Sequence, residues 1–469
     1  MAVRKSNGSL RAWVGAAAGL VALAVVLVCF ASCETANGVK TDVARAGDSV
    51  RDATGSLSGA TNPSYGAVKF NGEPDIRVRV AKSVTKKEIG GSASLLVRPV
   101  QTSPAAKSQI LRAPVTVTSS AANVMVVDGA GRRHTWPAGT DLEILASDGK
   151  MDNGLDLNRS LTMDRQRFPG YLTILQGPKE ASTRFDVVVT MPVEAYLPGV
   201  VTNELLKDWN NLQVNEAQAV CARTYALHER SRARADGRPV DVENTTADQV
   251  YATYATSVAT EAVRATRGMI LTSEGKILRA YFSSCCGGRS ASAADVWPQQ
   301  YTFNLAKPLQ GKPRQAYCQP SPLYRWEVTR KDDDLDRRIR GWGLTNQNDV
   351  AAMGRLRSVK VADRNDAGRP NRYKLTDDNG REFILKAEEL RMACNHPLAD
   401  LPPITRQNRV NSGDLEVEIW ANQVRITGRG WGHGVGMCQW CAKGMAEAGM
   451  DWHTMLQTFY PGVEIQKAY

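Results

Sequence analysis

The sequence predicts a sheet-dominated α+β fold whose helices cluster around one cleft. Short β-prone runs recur between turn residues from Asp75 to Met191, which is typical of antiparallel sheet. Alanine-rich stretches with helical patterning follow between residues 215 and 267. Strand-like segments return over residues 323–420, and a final helix is predicted at about Gln439–Ala448. The helices are therefore expected next to the motifs described below.

Individual elements follow from local patterns. Apolar residues alternate in several runs of the first half, so one face of each strand is predicted to point to a core. These runs are Ile76–Val80, Ala93–Val97, Val115–Val117, Val124–Val127, Leu142–Leu145, Tyr171–Leu175 and Phe185–Val189. Helices are predicted over Asn215–Arg234 and over Ser257–Arg267, the second ended by Gly268. Two strands follow, Met269–Thr272 and Ile277–Phe282, joined by a tight turn.

Composition and charge narrow the classes of protein. The 469 residues are 42% hydrophobic and 23% charged, which is ordinary for a globular protein. The formal net charge of +11 favours an anionic polymer as partner, either nucleic acid or a cell-wall glycan with its lactyl carboxylates. The chain has no zinc-finger spacing and no strongly basic helix, so nucleic acid is not the expected partner.

The N-terminus predicts export. Residues 1–11 are basic and polar, and the 21 residues from Ala12 to Ser32 carry no charge. This apolar run leads directly into Cys33 and resembles a lipoprotein signal, in which the cysteine is lipidated. The alternative is an uncleaved membrane anchor, because 21 apolar residues are enough to span a bilayer. Either way, residues 1–33 target the chain, residues 34–66 form a flexible tether, and the rest lies in the cell envelope outside the cytoplasm.

Three motifs lie in the second half of the chain, whereas residues 67–190 form a β-rich portion without a metal or nucleophile pattern. The motifs are PVEAYLPGVVTNELLKDW with NEAQAVCARTYALHE (192–209 and 215–229), RAYFSSCCGGRSASAADVW (279–297) and GRGWGHGVGMCQWCAKGMAEAG (428–449) with FYPGVEI (459–465). In this order they resemble the SpoIID/LytB family, and the resemblance extends from about Asp75 to the C-terminus. It implies a SpoIID-like fold with its catalytic portion at residues 191–469. The sporulation member of that family is a lytic transglycosylase acting on peptide-stripped peptidoglycan.

Glu204, in the first motif, matches the catalytic glutamate of the family. Cleavage of a glycosidic bond needs a proton on the leaving oxygen, and a carboxyl group with a raised pKa supplies it at neutral pH. The flanking residues Val200, Val201, Leu205 and Leu206 are expected to provide apolar surroundings that raise this pKa. Without the resemblance, a surface glutamate near a helix start would be the simpler interpretation.

Three further residues are expected to bind the glycan. The resemblance implies this role for Arg223 and Tyr225 on the alanine-rich helix, where Ala219 and Ala226 leave room for a substrate to approach. Gln439 in the third motif is assigned to substrate binding as well. The alternative for the first two is an arginine paired with an acid and a tyrosine in the core.

The segment Gly428–Gly436 has glycine at every second position. In an extended strand these glycines would share one bare face, which admits a flat sugar ring, and the other face would carry the larger side chains. Trp431 is then expected to stack on the sugar and His433 to form a hydrogen bond with it. The alternative is close packing of the bare face against another element.

Seven cysteines follow the predicted signal, so at least one is not in an intramolecular disulfide. Some members of the family hold zinc with His and Cys near the second motif, but Phe282 stands where that histidine is usual. Cys286 and Cys438 lie in the second and third motifs, and Cys318 begins a further stretch, CQPSPLYRW (318–326), that is also similar to members of the family. These three cysteines are expected to converge, as a zinc site or as a disulfide with a spare thiol. Because the protein is expected to be exported, the disulfide is preferred, and the lone CxxC ending at Cys441 is weak support for metal.

Two functions from different classes remain. The first is a lytic transglycosylase that cleaves between N-acetylmuramic acid and N-acetylglucosamine, with Glu204 as general acid and base and the muramic 6-hydroxyl as nucleophile. It needs one protein carboxylate, whereas a hydrolase ordinarily needs two, and neither Asp208 nor Asp295 is obviously paired. No cofactor is required, although zinc is an option. The second function is a non-catalytic glycan-binding protein that enhances a cell-wall amidase, so the expected partners are glycan strands, the membrane and such an amidase.

Overall fold

The computed structural model describes residues 68–100, 108–148, 159–176 and 183–469. The predicted signal with Cys33 and the tether at residues 34–66 lie outside the described residues. Within those ranges, none of the helices combines the length and the apolar character needed to cross a bilayer. The described residues form eight α-helices and 24 strands in several sheets, which confirms the sheet-dominated α+β class.

The first half of the chain forms two sheets. Their strands are β1 (Asp75–Val84), β2 (Lys86–Gly90), β3 (Ser94–Pro99), β4 (Gln109–Arg112), β5 (Val115–Ser119), β6 (Asn123–Val127), β7 (Arg133–Pro137), β8 (Leu142–Ser147), β9 (Ser160–Met163), β10 (Gln166–Pro169), β11 (Tyr171–Gln176), β12 (Phe185–Pro192) and β13 (Val242–Glu243). The seven-stranded sheet has the order β13-β1-β12-β11-β8-β3-β4, and the six-stranded sheet β10-β9-β2-β5-β6-β7. Every predicted run corresponds to a strand, and all pairings are antiparallel except that of β1 with β13.

Three helices come after β12, with β13 between the second and the third: α1 (Val193–Glu204), α2 (Leu212–Ala235) and α3 (Ser257–Ala265). The side chain of Asn211 caps α2 by accepting a hydrogen bond from the Val214 N–H, and Thr256 caps α3 in the same way. Most of α2 is buried because its small alanine side chains allow neighbouring elements to approach closely. Both predicted helices are confirmed, and α1 places Glu204 at its last residue.

The hairpin after α3 is shorter than predicted. Strands β14 (Met269–Ser273) and β15 (Lys276–Ile277) pair, but β16 contains only Phe282–Ser283 and belongs to another sheet. Between them the chain turns, since the Tyr281 N–H donates to the Arg279 carbonyl at 2.8 Å. The predicted strand Ile277–Phe282 is therefore wrong, and the turn is followed by the short helix α4 (Ala293–Val296).

Residues 326–428 contain a second hydrophobic core with its own strands and helices. Its elements are β17 (Trp326–Lys331), α5 (Asp332–Asn346), β18 (Leu356–Arg364), β19 (Pro370–Asp377), β20 (Glu382–Lys386), α6 (Ala387–Cys394), β21 (Leu415–Trp420) and β22 (Gln423–Gly428). The expectation of strands throughout this region is wrong for α5 and α6. Helix α5 has three aspartates in its first turn and buries Leu335 and Ile339, four residues apart on one face.

The chain then returns to the first core. It forms β23 (Met437–Cys438), α7 (Gln439–Glu447), α8 (Trp452–Phe459) and β24 (Glu464–Lys467), and the predicted helix near residue 439 is confirmed. Strand β23 pairs in parallel with β16, and β24 pairs with β14. These pairings bring the second and third motifs together beside α1 and α2.

Candidate active site

Glu204 is the last residue of α1, and its side chain is half-buried. Its Oε1 accepts a hydrogen bond from the Val250 N–H at 3.0 Å, and no cation forms an ion pair with it in the described ranges. Burial disfavours the ionised form and raises the pKa of Glu204 to about 7, although the Val250 hydrogen bond acts in the opposite direction. The negative end of a helix dipole also disfavours a carboxylate. A carboxyl group of this kind can donate a proton near neutral pH.

The loop at residues 248–250 connects this carboxyl group to α2. Val250 holds the carboxyl oxygen, as described above, while Asp248 accepts a hydrogen bond from the Tyr225 hydroxyl at 2.9 Å. Between them, Gln249 donates from Nε2 to the Ala222 carbonyl at 3.2 Å. Because three consecutive residues are fixed, the loop holds the acid in one orientation relative to α2.

Gln439 holds the end of α1 from the opposite side. Its Nε2 donates to the backbone carbonyl of Glu204 at 3.0 Å and to Gln218 Oε1 at 3.2 Å. The last carbonyls of a helix have no partner within the helix, so this bond satisfies one of them. Gln439 is nearly fully buried. The structure therefore brings Gln439 to Glu204, in contact with its backbone.

An aromatic cluster extends from α2 to the third motif. The rings of Tyr281 and Trp297 stack with their centroids 3.9 Å apart, and His433 lies edge-on to Trp297 at 4.9 Å. The Arg279 guanidinium lies 4.9 Å from the Tyr281 ring centroid and 5.3 Å from that of Tyr225. Tyr281, Trp297 and Arg279 were not among the predicted site residues, although all three lie in the second motif. Only the fold shows that they join Tyr225 to His433.

His433 is held as a neutral imidazole. Burial lowers the pKa of His433 to about 4, and the attraction of Glu388 only partly offsets this effect. Its Nδ1 accepts a hydrogen bond from the Val435 N–H at 3.0 Å, which assigns the proton to Nε2. Trp431 is half-buried nearby, and its backbone pairs with Cys285 through two hydrogen bonds of 2.8 and 3.1 Å.

The glycine-rich segment is not an extended strand. Strand β22 ends at Gly428, and Gly430, Gly432, Gly434 and Gly436 all have positive φ, between 69° and 91°. Positive φ at alternate residues folds the chain into a loop, which is the physical reason that the strand prediction is wrong. A Cβ atom at Gly436 would lie 2.0 Å from the Tyr281 carbonyl oxygen. The glycines therefore permit close packing, which was the alternative interpretation.

The loop also separates the larger side chains that a strand would have aligned. Arg429 lines an open groove of ≈ 460 Å³ with Arg289 and Arg325, next to the second core. His433 instead packs against Trp297 in the first core. The larger side chains of this segment therefore do not share the single face that an extended strand would give them.

Arg223 lies in the protein interior and not on a surface that a glycan reaches. Its side chain is 0% exposed and forms a two-point ion pair with Glu194, at 2.8 and 2.9 Å. It also donates to the carbonyls of Val263 and Met269, so it ties α2 to α1, α3 and β14. Tyr225 is nearly fully buried too, with its hydroxyl engaged by Asp248. Both geometries match the interpretation of a paired arginine and a core tyrosine, because the alanines on α2 admit neighbouring elements.

Two residues near the end of α1, Tyr254 and Lys207, were not predicted from the sequence as site residues. Tyr254 is 50% exposed, and its hydroxyl contacts Asn203 Oδ1 at 3.4 Å. The Lys207 ammonium lies 5.2 Å from the centre of its ring. An exposed aromatic ring with polar neighbours is a surface on which a sugar can stack. No motif marks Tyr254, so only its contacts with Asn203 and Lys207, which are close to Glu204 in the sequence, identify it.

The predicted cysteines converge, with one more thiol than expected. Cys286, Cys318, Cys438 and Cys441 have their sulfur atoms within 4.8 Å of one another, and all four are buried. The preferred disulfide is not formed, since the closest sulfur atoms are 3.8 Å apart and a disulfide requires about 2.05 Å.

Parts of this chain match known protein families. The family described as Stage II sporulation protein, SpoIID, matches residues 181–273, and a domain of unknown function (DUF8618) matches residues 291–436. An uncharacterized protein of Brachyspira hyodysenteriae is 31% identical over 281 residues, which cover 60% of this chain and 68% of that protein. The Bacillus subtilis amidase enhancer is 27% identical over 57% of this chain and 40% of its own length. Stage II sporulation protein D of Bacillus amyloliquefaciens is 27% identical over 60% of this chain and 76% of its own length.

These matches include the elements that build the candidate site, from β12 to β14 in the family match. The chain belongs to the SpoIID/LytB family and has a cell-wall-related role.

Proposed function

We propose that this protein is a lytic transglycosylase of peptidoglycan and that Glu204 is its general acid and base. The observation that carries the proposal is the half-buried Glu204 carboxyl group, whose pKa is raised to about 7 by burial. An acid with a pKa near the working pH is protonated before the reaction and a competent base after it. The similarity to Stage II sporulation protein D supports a reaction on the cell wall.

The proposed reaction needs one protein carboxylate. Glu204 donates its proton to the oxygen that leaves with N-acetylglucosamine, and the bond from C1 of N-acetylmuramic acid to that oxygen breaks. The muramic 6-hydroxyl then attacks C1 and gives its proton to Glu204, which closes a 1,6-anhydro ring and restores the acid. The free ends are an anhydro sugar and a 4-hydroxyl, so atoms and protons balance without water.

The surroundings of Glu204 support the single-acid scheme. A hydrolase that uses two carboxylates holds them about 5–10 Å apart across the sugar ring. Asp208 is exposed, and Asp248 is engaged by Tyr225 and by the Glu243 N–H at 2.8 Å. We assign Tyr254, Trp431 and His433 to glycan binding, and we assign Arg223 and Gln439 to positioning the helices that carry the acid.

A second candidate function is a glycan-binding enhancer of a cell-wall amidase, without catalysis of its own. The similarity to the Bacillus subtilis amidase enhancer favours it. In that case the raised pKa of Glu204 would have no chemical role, and the same surface would only hold glycan strands. Two predictions from the sequence stand under either function. One is export with attachment to the membrane through Cys33, and the other is a division of the chain near residue 191.

The deciding experiment incubates the full-length chain with purified, peptide-free glycan strands and analyses the fragments by mass spectrometry. Cleavage by transglycosylation gives products ending in 1,6-anhydro-N-acetylmuramic acid, each one water lighter than a hydrolytic product. Glu204→Gln keeps the size of the side chain but removes the transferable proton, so turnover should fall about a hundred- to ten-thousand-fold. Asp208→Asn is the matched control, because Asp208 is exposed, and it should retain activity.

The outcomes separate the alternatives. Reducing-end products would replace the transglycosylase by a hydrolase. Undiminished cleavage by Glu204→Gln would remove Glu204 from the chemistry. Absence of new fragments from the native chain, together with glycan-dependent stimulation of an added amidase, would support the enhancer.

A further inference from the structure

Four cysteines from three separate segments meet at one point behind the candidate active site. Cys286 follows β16, Cys318 lies in the loop before β17, Cys438 ends β23, and Cys441 lies in the first turn of α7. We propose that these four side chains bind one Zn²⁺ ion as thiolates, in a tetrahedral site that joins the second and third motifs. The proposal does not depend on the proposed catalytic function.

The sulfur positions fit a single zinc ion. The Cys286 sulfur lies 3.8 Å from that of Cys318 and 3.9 Å from that of Cys441, and all four sulfurs lie within 4.8 Å of one another. Zinc binds thiolates at about 2.3 Å, and in a tetrahedron of that size the sulfurs are about 3.8 Å apart. An iron–sulfur cluster with several irons would hold its cysteines farther apart, because irons and sulfides lie between them.

The backbone around the sulfurs is arranged as in thiolate sites. The Cys438 sulfur accepts hydrogen bonds from the Cys286 N–H at 3.2 Å and from the Cys441 N–H at 3.4 Å. Amide hydrogen bonds of this kind orient metal-bound thiolates and disperse their charge. Cys438 and Cys441 have the CxxC spacing, and Cys286 and Cys318 supply the second pair that the sequence pattern lacked.

A buried cation lies against the cluster and balances its charge. Four thiolates around one Zn²⁺ carry a net charge of −2, which is costly in a protein interior unless a cation is close. Arg314 interacts electrostatically with the sulfurs of Cys286, Cys438 and Cys441. Its Nε is buried and has no hydrogen-bond partner within the described ranges. A buried guanidinium with an unsatisfied donor indicates that this position is built for an anionic neighbour.

The site would fix the helix that contacts Glu204. Cys438 and Cys441 flank Gln439, whose amide donates to the Glu204 carbonyl and to Gln218. A metal bound to both cysteines therefore holds the start of α7 against β16 and, through Gln439, against the end of α1. Zinc also has no redox chemistry of its own, so it keeps closely spaced thiols from pairing where disulfides can form.

The test measures metal directly in the full-length chain, purified without chelator. We expect about one zinc per chain by mass spectrometry of the elements. Exchange for Co²⁺ should give the visible absorption bands of tetrahedral cobalt bound to thiolates. Cys441→Ser should lose most of the metal, whereas Cys394→Ser, also buried but in the second core, should retain it. The control shows whether metal loss arises from a buried Cys→Ser change in general.

Three results would overturn the proposal. One is a native chain without metal that is four hydrogens lighter than its reduced form, which would mean two disulfides. Another is retention of zinc by Cys441→Ser. The last is a metal-free, reduced chain that does not take up added Zn²⁺ or Co²⁺. Because none of these measurements uses glycan cleavage, failure here is distinguishable from failure of the proposed function.

Discussion

Glu204 is placed where a carboxylate is unfavourable, and the proposed chemistry depends on that placement. It ends α1, it is half-buried, and no ion pair compensates it in the part of the chain that the structure describes. A residue selected for stability alone would be ionised and paired at this position. The expected consequence is a free-energy cost at neutral pH, which the proposed function would explain.

This free-energy cost can be measured with the substitution Glu204→Gln. Its pKa is about 7 in the folded protein and 4.5 ordinarily, so between these pH values the folded state binds more protons than the unfolded state. The free energy of unfolding therefore decreases as the pH rises through this window, by roughly 3 kcal/mol in total. The glutamine of Glu204→Gln does not titrate. We therefore expect the free energy of unfolding of this variant, relative to that of the native chain, to be higher at pH 8 than at pH 4 by up to ~3 kcal/mol.

Urea unfolding of both proteins at the two pH values measures this difference. Asp208→Asn is again the control, and its stability difference from the native chain should not depend on pH in the same way. If Glu204→Gln differs from the native chain equally at both pH values, the pKa of Glu204 is not raised.

At the residue scale, the sequence predicted the apolar surroundings of Glu204 better than the positions of Arg223 and Tyr225. The apolar flanks Val200, Val201 and Leu205 are indeed buried. Arg223 was expected at the substrate because its alanine neighbours look like free space. In the folded chain, neighbouring elements pack against the same alanines. The buried ion pair of Arg223 with Glu194, which is distant in sequence, shows that Arg223 has a structural partner.

At the scale of elements, the loop from Gly428 to Gly436 depends on backbone geometry that only glycine adopts easily. Gly430 has a φ of 78°, and a Cβ atom there would lie 2.4 Å from the Cys285 carbonyl oxygen. Gly449, after α7, has a φ of 82°, but a Cβ atom there would contact nothing within 4 Å. The two glycines share a left-handed backbone and differ only in crowding.

Replacing each by alanine separates these two causes. Gly449→Ala should cost about 1–2 kcal/mol of stability, the usual penalty for a left-handed alanine. Gly430→Ala should cost clearly more, because the backbone of Cys285 must also move. Thermal unfolding of the two variants measures the difference. Equal losses would show that the loop is not closely packed against the second motif.

Strands and helices were predictable where apolar residues alternate or where residues that end helices stand in the sequence. Seven strands, β1, β3, β5, β6, β8, β11 and β12, and the helices α2 and α3 were located on that basis. Helix α5 was missed because Gly341 and Gly343 interrupt its pattern, although Leu335 and Ile339 are spaced as a helix requires. The loop of glycines was misread because alternation in sequence also arises from alternate positive φ values, which sequence periodicity does not distinguish from a strand.

At the scale of the whole molecule, the chain has two hydrophobic cores of different size. The larger core joins the first two sheets to the helices that carry Glu204, and the smaller one lies between Trp326 and Ile426. The smaller unit contacts residues around the site through polar links such as Arg289 with Asp414 and Arg369 with the Cys286 carbonyl. A unit held mainly by its own small core is expected to open independently.

Native-state hydrogen exchange tests this division. Amides of β18, β19 and β20 should exchange together, with a lower opening free energy than those of β1 and β12. Amides of β12 and α2, in the larger core, should exchange only through global unfolding. The same opening free energy for both groups would mean that the two cores unfold as one cooperative unit.

Strands β17 and β22 have a further consequence for how the sequence can diverge. Trp326 at the start of β17 is paired directly with Gly428 at the end of β22, so the smaller unit begins and ends at neighbouring positions. Insertions or deletions between these residues leave the distance from Cys318 to the glycine loop unchanged. Loops of this unit can therefore be lengthened or shortened while the residues around Glu204 stay in register, as long as Arg369 and Asp414 keep their contacts with Cys286 and Arg289.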